Sequence, residues 1–214
     1  MSRIFAIGDI HGCIDKLKEL IAKIGAHPVA DTLVFLGDYI DRAGGGPDAI
    51  DYVLALKNKY QNVVCLCGNH EYMLLRFLEG VDEDIYLANG GRATLKAYGI
   101  SPADAIRKRK SKIPSAHLNF FESLQLYYET ENYIFVHAGL RPGVPLAAQS
   151  AHDLVWLRQE FIDCDDDFGK RIVFGHTRAD APIITPNKIG IDTGAVYGGK
   201  LTCLELPAER FYQV

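Results

Sequence analysis

Long apolar runs, internal repeats and low-complexity tracts are absent from this 214-residue sequence, and cysteine is sparse. With no stretch near the length that crosses a bilayer, a membrane-spanning segment is not expected. A secretion leader is not expected either, because Arg3-Ile4-Phe5-Ala6-Ile7 already reads as a strand running straight into Gly8-Asp9. The five cysteines (Cys13, Cys65, Cys67, Cys164, Cys203) are odd in number and scattered. Cys65 and Cys67 stand two apart in a strand, so they share a face and are expected to pack rather than ligate or crosslink. This usage fits a reducing, cytoplasmic setting. Neither sign of charge dominates: the net −4 gives no reason to expect whole-molecule attraction to nucleic acid or a membrane. No linker interrupts the chain, so residues 1–214 read as one domain, long enough to bury most of its apolar surface.

Apolar runs predict strands at Ile4–Ile7, Leu33–Leu36, Val63–Cys67, Tyr133–Val136, Ile172–Phe174, Lys188–Ile191 and Leu201–Leu206. Several are continuous rather than alternating, which predicts burial on both faces. Ile14, Leu17, Leu20, Ile21 and Ile24 recur at helical spacing, as do Ile50, Val53 and Leu54 after Pro47. The first half is therefore β-α-β-α-β, a largely parallel arrangement with right-handed crossovers. Residues 71–126 turn helical and polar and predict a helical insert over one side of the active face, with a helix start at Ser101-Pro102-Ala103-Asp104. The last three strands are expected to form a meander around Gly194 and Gly198-Gly199.

Six segments end in chemistry, each after an apolar run that reads as a strand: Gly8-Asp9-Ile10-His11-Gly12, Gly37-Asp38-Tyr39-Ile40-Asp41-Arg42, Gly68-Asn69-His70-Glu71, His137-Ala138-Gly139, Trp156-Leu157-Arg158 and Gly175-His176-Thr177. One Gly-Asp turn alone reads equally well as an ordinary turn aspartate. Three βα turns bearing carboxylate, amide and imidazole are another matter, because α/β sheets bind ligands at the carboxyl ends of their strands. The histidines act as an internal control. His11, His70, His137 and His176 follow apolar strands with glycine nearby, whereas His27, His117 and His152 do not and are expected on the surface.

This ordered set resembles the calcineurin-like metallophosphoesterases, in their phosphoprotein phosphatase branch, and is most similar to the short bacterial and phage-lambda type of serine/threonine protein phosphatase. Asn89-Gly90-Gly91, the run His137 to Gly143 and Ile191-Asp192-Thr193-Gly194-Ala195 belong to the same resemblance, which spans nearly the whole chain. It implies an αββα sandwich, two mixed β-sheets flanked by helices, with metals at the strand ends. It also implies roles. Asp9, His11 and Asp38 would bind a first metal, and Asp38 would bridge to a second completed by Asn69, His137 and His176. His70 would be the general acid oriented by Asp41, and Arg42 and Arg158 would clamp phosphate.

Elementary chemistry is consistent with those roles. Oxygen and imidazole donors without thiolate suit two borderline divalent cations, manganese first and iron or zinc as alternatives, over calcium or a structural zinc cluster. Such a pair acidifies a water held between the ions, so no serine or cysteine nucleophile is required. Two arginines add the positive charge that a phosphate dianion still lacks. The family glycine after Arg42 is replaced by Ala43, and Gly44-Gly45-Gly46 are expected to absorb any left-handed turn there.

The leading substrate is a phosphoserine or phosphothreonine protein, or a small phosphoester. A bis(5'-nucleosyl)-tetraphosphatase is the alternative, although its base platform has no candidate beyond the unassigned Tyr86 and Tyr98. A catalytically silent scaffold is the remaining reading, disfavoured because every matched catalytic position is filled. Arg107-Lys108-Arg109-Lys110 with Lys112 reads as a solvated helix face, or as a surface attracting acidic substrate. Trp156 reads as a core residue, and Tyr197 as either a packing residue or a neighbour of the site.

Overall fold

The computed structural model describes residues 2–214. In chain order it contains β1 (Ile4–Ile7), α1 (Ile14–Ile24), β2 (Thr32–Phe35), α2 (Gly46–Lys59), β3 (Asn62–Cys65), α3 (Asn69–Leu78), α4 (Glu83–Ala88), α5 (Arg92–Ala97), α6 (Ile106–Ser111), α7 (Ser115–Glu122), β4 (Tyr127–Glu129), β5 (Tyr133–Val136), α8 (Ala151–Trp156), α9 (Gln159–Ile162), β6 (Arg171–Phe174), β7 (Ile183–Ile184), β8 (Lys188–Gly190), β9 (Thr202–Leu206) and β10 (Arg210–Gln213). Short 3-10 turns lie at Leu146–Ala148 and Ala195–Tyr197.

Two five-stranded mixed sheets result, ordered β10-β9-β1-β2-β3 and β4-β5-β6-β8-β7. Strands β1, β2 and β3 are parallel, and so are β5, β6 and β8. Side-chain alternation explains why the strands read as continuous apolar runs. Ala6, Val34, Phe135, Val173, Ile189 and Leu204 pack together in one core between the sheets. Their strand neighbours Phe5, Ile7, Leu33 and Phe35 join Leu17, Leu20, Ile50 and Val53 of α1 and α2. On the far side, Ile134, Val136, Ile172 and Phe174 pack with Leu154 of α8 and Phe161 of α9. Both faces of each sheet are therefore apolar, and the layers run helix, sheet, sheet, helix.

Register brings the strand ends level. Ile7 pairs with Phe35 and Phe35 with Cys65, so the turns carrying Asp9, Asp38 and Asn69 leave the first sheet side by side. In the second sheet, Phe174 pairs with Gly190, which places His176 and Asp192 at neighbouring exits.

Four expectations need correction. The last strands do not form a meander: β6 and β8 pair in parallel in one sheet, while β9 pairs antiparallel with β1 in the other. The segment from Gly190 to Thr202 therefore crosses from sheet to sheet. Ser101–Asp104 is a turn, with Asp104 accepting the Ser101 N–H at 2.9 Å, and the helix begins only at Ile106. His117 is buried, held by the Tyr98 hydroxyl at 2.8 Å and by Asp51 at 2.9 Å. Arg109 is not part of a solvated face: it is buried, bonds Phe77 O and Glu83, and lies over the Phe77 ring at 4.3 Å. Lys108 and Lys112 both pair with Asp104.

Candidate active site

Backbone conformation is the first unusual feature of the strand ends. Among non-glycine residues, His11 (φ 46°), Asp38 (φ 52°), Asp41 (φ 69°), Arg42 (φ 64°) and His176 (φ 58°) all lie in the left-handed region. Each such residue costs about 1–2 kcal/mol, and strain of this kind gathers where function over-determines the backbone. Glu71 holds much of it. Fully buried, it accepts the N–H groups of Asp38 (2.9 Å), Tyr39 (2.8 Å), Ile40 (3.2 Å) and Gly68 (3.1 Å). Burial and then Asp38 push the Glu71 carboxyl up to about 8, while the Ile40 N–H pulls the other way. Gly68 is required by close approach: a Cβ there would collide with the Asp38 backbone nitrogen and Oδ1.

The glycines after Arg42 serve a different purpose from the one expected. Asp41 and Arg42 themselves take the left-handed conformation, and Gly44–Gly46 do not. A Cβ at Gly45 would strike Gly12 O, so the run lets two loops touch backbone to backbone.

Asp38 is the hub. Its Oδ2 lies 3.3 Å from His11 Nε2, and its Oδ1 lies 3.5 Å from His137 Nε2. His11 Nδ1 donates to Ile40 O at 2.9 Å and His137 Nδ1 donates to Leu36 O at 2.9 Å. Both rings therefore turn an unprotonated Nε2 inward, the arrangement that orients metal-ligating imidazoles. His137 Nε2 also meets Asn69 Oδ1 at 3.0 Å, and His176 Nε2 is buried without any partner. Acceptors converging on one another with no proton between them are the donor set of a cation site. Among the described residues, His11–Asp38–His70 and Asp38–His137–His176 could each hold an ion, sharing Asp38. Asp9 stands beside the second group, where both of its carboxylate oxygens accept the His176 N–H (3.2 and 3.1 Å). The residues present thus fit a pair of divalent cations.

Electrostatics agree with the geometry. Burial pushes Asp38 up, but His137, His70, His11 and His176 draw it well below the usual carboxylate range. Burial lowers His11 to about 4 and depresses His137 and His176 as well, which keeps their lone pairs free. Asp9 goes the other way, raised by burial and then by Asp192 and Asp38.

His70 is buried beside this cluster. Its Nδ1 lies 2.7 Å from Asp41 Oδ2, and its Nε2 accepts from Arg42 Nη2 at 3.1 Å. Burial alone would lower its pKa, yet Asp38 and Asp41 raise it above the ordinary value. Arg158 donates to His176 O at 3.1 Å. Asp9, His11, Asp38, Asn69 and His176 line one cavity of about 320 Å³ with Arg42, Arg158, Arg178, Asp192 and Tyr197. His70, Asp41 and His137 lie behind its wall.

A family model for calcineurin-like phosphoesterases matches residues 2–203. The chain belongs to this family. It is a hydrolase, a metal-dependent phosphoesterase. An asymmetrical bis(5'-nucleosyl)-tetraphosphatase PrpE of Oceanobacillus iheyensis is 28% identical, over 99% of this chain and 92% of its own length. A crystal structure of a proposed diadenosine tetraphosphatase superposes with a TM-score of 0.75 at 22% identity, over 99% of this chain and 92% of that one. A protein serine/threonine phosphatase from Saccharomyces cerevisiae gives 0.67 at 17%, over 99% and 79%. At such identities the solved structures speak for the fold.

Several residues of this phosphoesterase site escaped the motif reading. Tyr86, considered only as a base platform, is completely buried, and its hydroxyl donates to Asp41 Oδ1 at 2.9 Å. Thr94 Oγ1 accepts the Asp41 N–H at 3.0 Å. The helices between β3 and β4 therefore reach the site through Asp41. Gly91 of the Asn89-Gly90-Gly91 motif abuts the Tyr86 ring, where a Cβ would collide, and that motif was the only available signal. Trp156 is half-buried and sits edge-on to His176 at 6.0 Å, with His152 stacked on it.

Proposed function

We propose that this protein is a two-metal hydrolase of dinucleoside polyphosphates, cleaving one phosphoanhydride bond away from the centre of the chain. The observation that carries the chemistry is the convergence of the Asp38, His11, His137 and His176 acceptors on one another at the base of a cavity lined by three arginines. Support for the substrate class comes from tetraphosphatase relatives that align over almost the entire chain. A phosphoserine or phosphothreonine protein substrate, the leading expectation from sequence, has weaker support, since protein phosphatases enter through shared fold alone.

In this reading, which follows the family resemblance, Asp9, His11 and Asp38 would hold one cation and Asp38, Asn69, His137 and His176 the other, Asp9 standing within reach of His176 as well. Two bound divalent cations, manganese or alternatively iron or zinc, supply a nucleophilic water at neutral pH and polarise the phosphoryl oxygens. Arg42 and Arg158 bind the remaining oxygens through their forked N–H groups. With Arg42 turned to phosphate, His70 Nε2 is free to take a proton from solvent and pass it to the leaving oxygen, while Asp41 accepts from Nδ1 and fixes the ring.

A groove of about 360 Å³ beside the site, lined by Tyr72, Met73, Ile85, His152 and Trp156, is aromatic enough to receive a base. Its neighbourhood to His176 through Trp156 supports a nucleotide substrate.

Specificity constants for diadenosine tetraphosphate and a phosphoserine peptide, measured side by side on manganese-loaded protein, test the proposal. Preference for the tetraphosphate, with nucleoside monophosphate and nucleoside triphosphate formed in equal amounts, is the expected result. Preference for the peptide, or no cleavage of the tetraphosphate, would overturn it.

A further inference from the structure

Arg178 is left over once one phosphate has been accommodated. It lies two residues beyond His176, lines the same cavity as Arg42 and Arg158, and is exposed to solvent. Among the described residues none of these three arginines has a carboxylate within ion-pair distance. Asp192, which lines the same cavity, accepts the Gly194 N–H at 3.0 Å and feels the charge of Arg158 and Arg178 without pairing with either. With Asp9 and Asp38 given to the cations in the proposed reading, three guanidinium groups face the cavity against the single remaining carboxylate of Asp192, a surplus of positive charge that an anion would balance.

Position is what separates Arg178 from an ordinary surface arginine. Ala179 N donates to Asp192 O at 3.1 Å, which pins the segment to the sheet-crossing loop. Gly194 (φ 72°) leaves a berth for the side chain: a Cβ there would lie 3.0 Å from Arg178 Nε and 3.2 Å from Cδ. The guanidinium carbon sits 4.9 Å from the centre of the Tyr197 ring, and Arg42 lies 5.3 Å from the same ring. Tyr197 is 51% exposed, so it spends apolar surface at the cavity mouth on holding two cations in place. Arg178 is thus positioned by packing and an aromatic face, with its N–H donors unspent.

We propose that Arg178, carried on Tyr197, binds the phosphate next to the scissile one and selects polyphosphate chains over phosphomonoesters. This rests on reading the cavity as a phosphohydrolase site, and it names the residue that sets substrate class within it. Charge supports the assignment: a single phosphate is already served by the cations, Arg42 and Arg158, whereas each further phosphate in a chain brings another negative charge. Space does too, because 320 Å³ is room for about ten water molecules, more than one phosphate fills.

The test compares inorganic phosphate with tripolyphosphate as competitive inhibitors of aryl phosphate hydrolysis, free manganese being held constant, in wild type, Arg178→Gln and Arg178→Lys. Wild type should bind tripolyphosphate more tightly than phosphate, and Arg178→Gln should shrink the ratio of the two inhibition constants about tenfold, the worth of a charge-assisted bond. Arg178→Lys should restore part of it, since the charge returns without the fork. An unchanged ratio in Arg178→Gln overturns the inference, whether or not both constants weaken together. Cleavage of diadenosine tetraphosphate by wild type reports separately on the substrate reading. If that cleavage is absent while the inhibitor ratio still depends on Arg178, the polyphosphate site stands and the dinucleotide reading falls.

Discussion

The Tyr86 hydroxyl donates to Asp41 Oδ1 at 2.9 Å, and both residues are completely buried. The other oxygen of the same carboxylate holds His70 Nδ1. A phenol in the helical region between β3 and β4 thereby sets the orientation of an imidazole at the end of β3, two residue contacts away.

Loss of that hydroxyl in Tyr86→Phe is expected to lower kcat about tenfold with little change in KM, in proportion to a hydrogen bond to a charged group. Combined with His70→Asn, the same substitution should cost almost nothing further. A double-mutant cycle measures this coupling, and additive effects would show that Tyr86 acts elsewhere.

Asp41→Asn is expected to reduce kcat by about 10² on a phosphoserine peptide, within the usual range for general acid catalysis. The loss should be smaller on diadenosine tetraphosphate, because a phosphate leaving group needs a proton less than an alkoxide does. Asp41 helps raise the His70 pKa, so its removal should move the alkaline fall of kcat to lower pH. Rate-pH profiles for both substrates supply the check, and an alkaline limb that stays in place would remove Asp41 from this role.

Glu71→Gln should cost about 3 kcal/mol of stability, since four backbone donors share its two oxygens and an amide turns an N–H toward part of them. Metal affinity should fall as well, because the left-handed turn at Asp38 depends on those bonds. Urea titration and metal binding measured on the same preparation would reveal both effects; unchanged values would mean that the turn holds itself.

Acid should cost the metal-free protein the stability that its neutral buried imidazoles contribute. His11, His137 and His176 are kept neutral in the fold by burial, His11 down to about 4. The unfolded chain protonates them near pH 6.5, so the stability these three contribute is lost as pH falls below that value, while Glu71, raised to about 8, and Asp9 take up protons in the fold first and oppose the loss. His70 runs the opposite way: its raised pKa contributes stability that is fully present below about 6.5 and lost as pH rises through the folded value. Urea midpoints of chelator-treated wild type and His11→Asn from pH 7 to pH 5 are the measurement: the variant should lose less on acidification, and an equal or larger loss would contradict it.

The turns carrying Asp9, Asp38 and Asn69 were legible because each polar residue follows an apolar run, and a run buried on both faces is hard to disguise. Ile4–Ile7, with Asp9 and His11 after it, is the plainest case. Strands without that signature went unseen: Ile183–Ile184 has two residues, Tyr127–Glu129 three, and Arg210–Gln213 is polar and half-exposed. Left-handed backbone at Asp38 and Arg42 has no marker in residue type, because bonds from Glu71 and Gly90 made elsewhere impose it. The roles of Tyr86 and Arg178 are likewise properties of neighbours distant in sequence, so no local pattern could announce them. The expected meander failed for a related reason: a glycine-rich connection looks the same whether it turns a hairpin or changes sheets.

Asp38 leaves the first sheet and His137 the second, yet their side chains meet. An ion gripped by both would act as a rivet through the seam of the sandwich. Catalytic competence and mechanical cohesion would then share one fastener, and stripping it would loosen the joint between the halves before either half came apart.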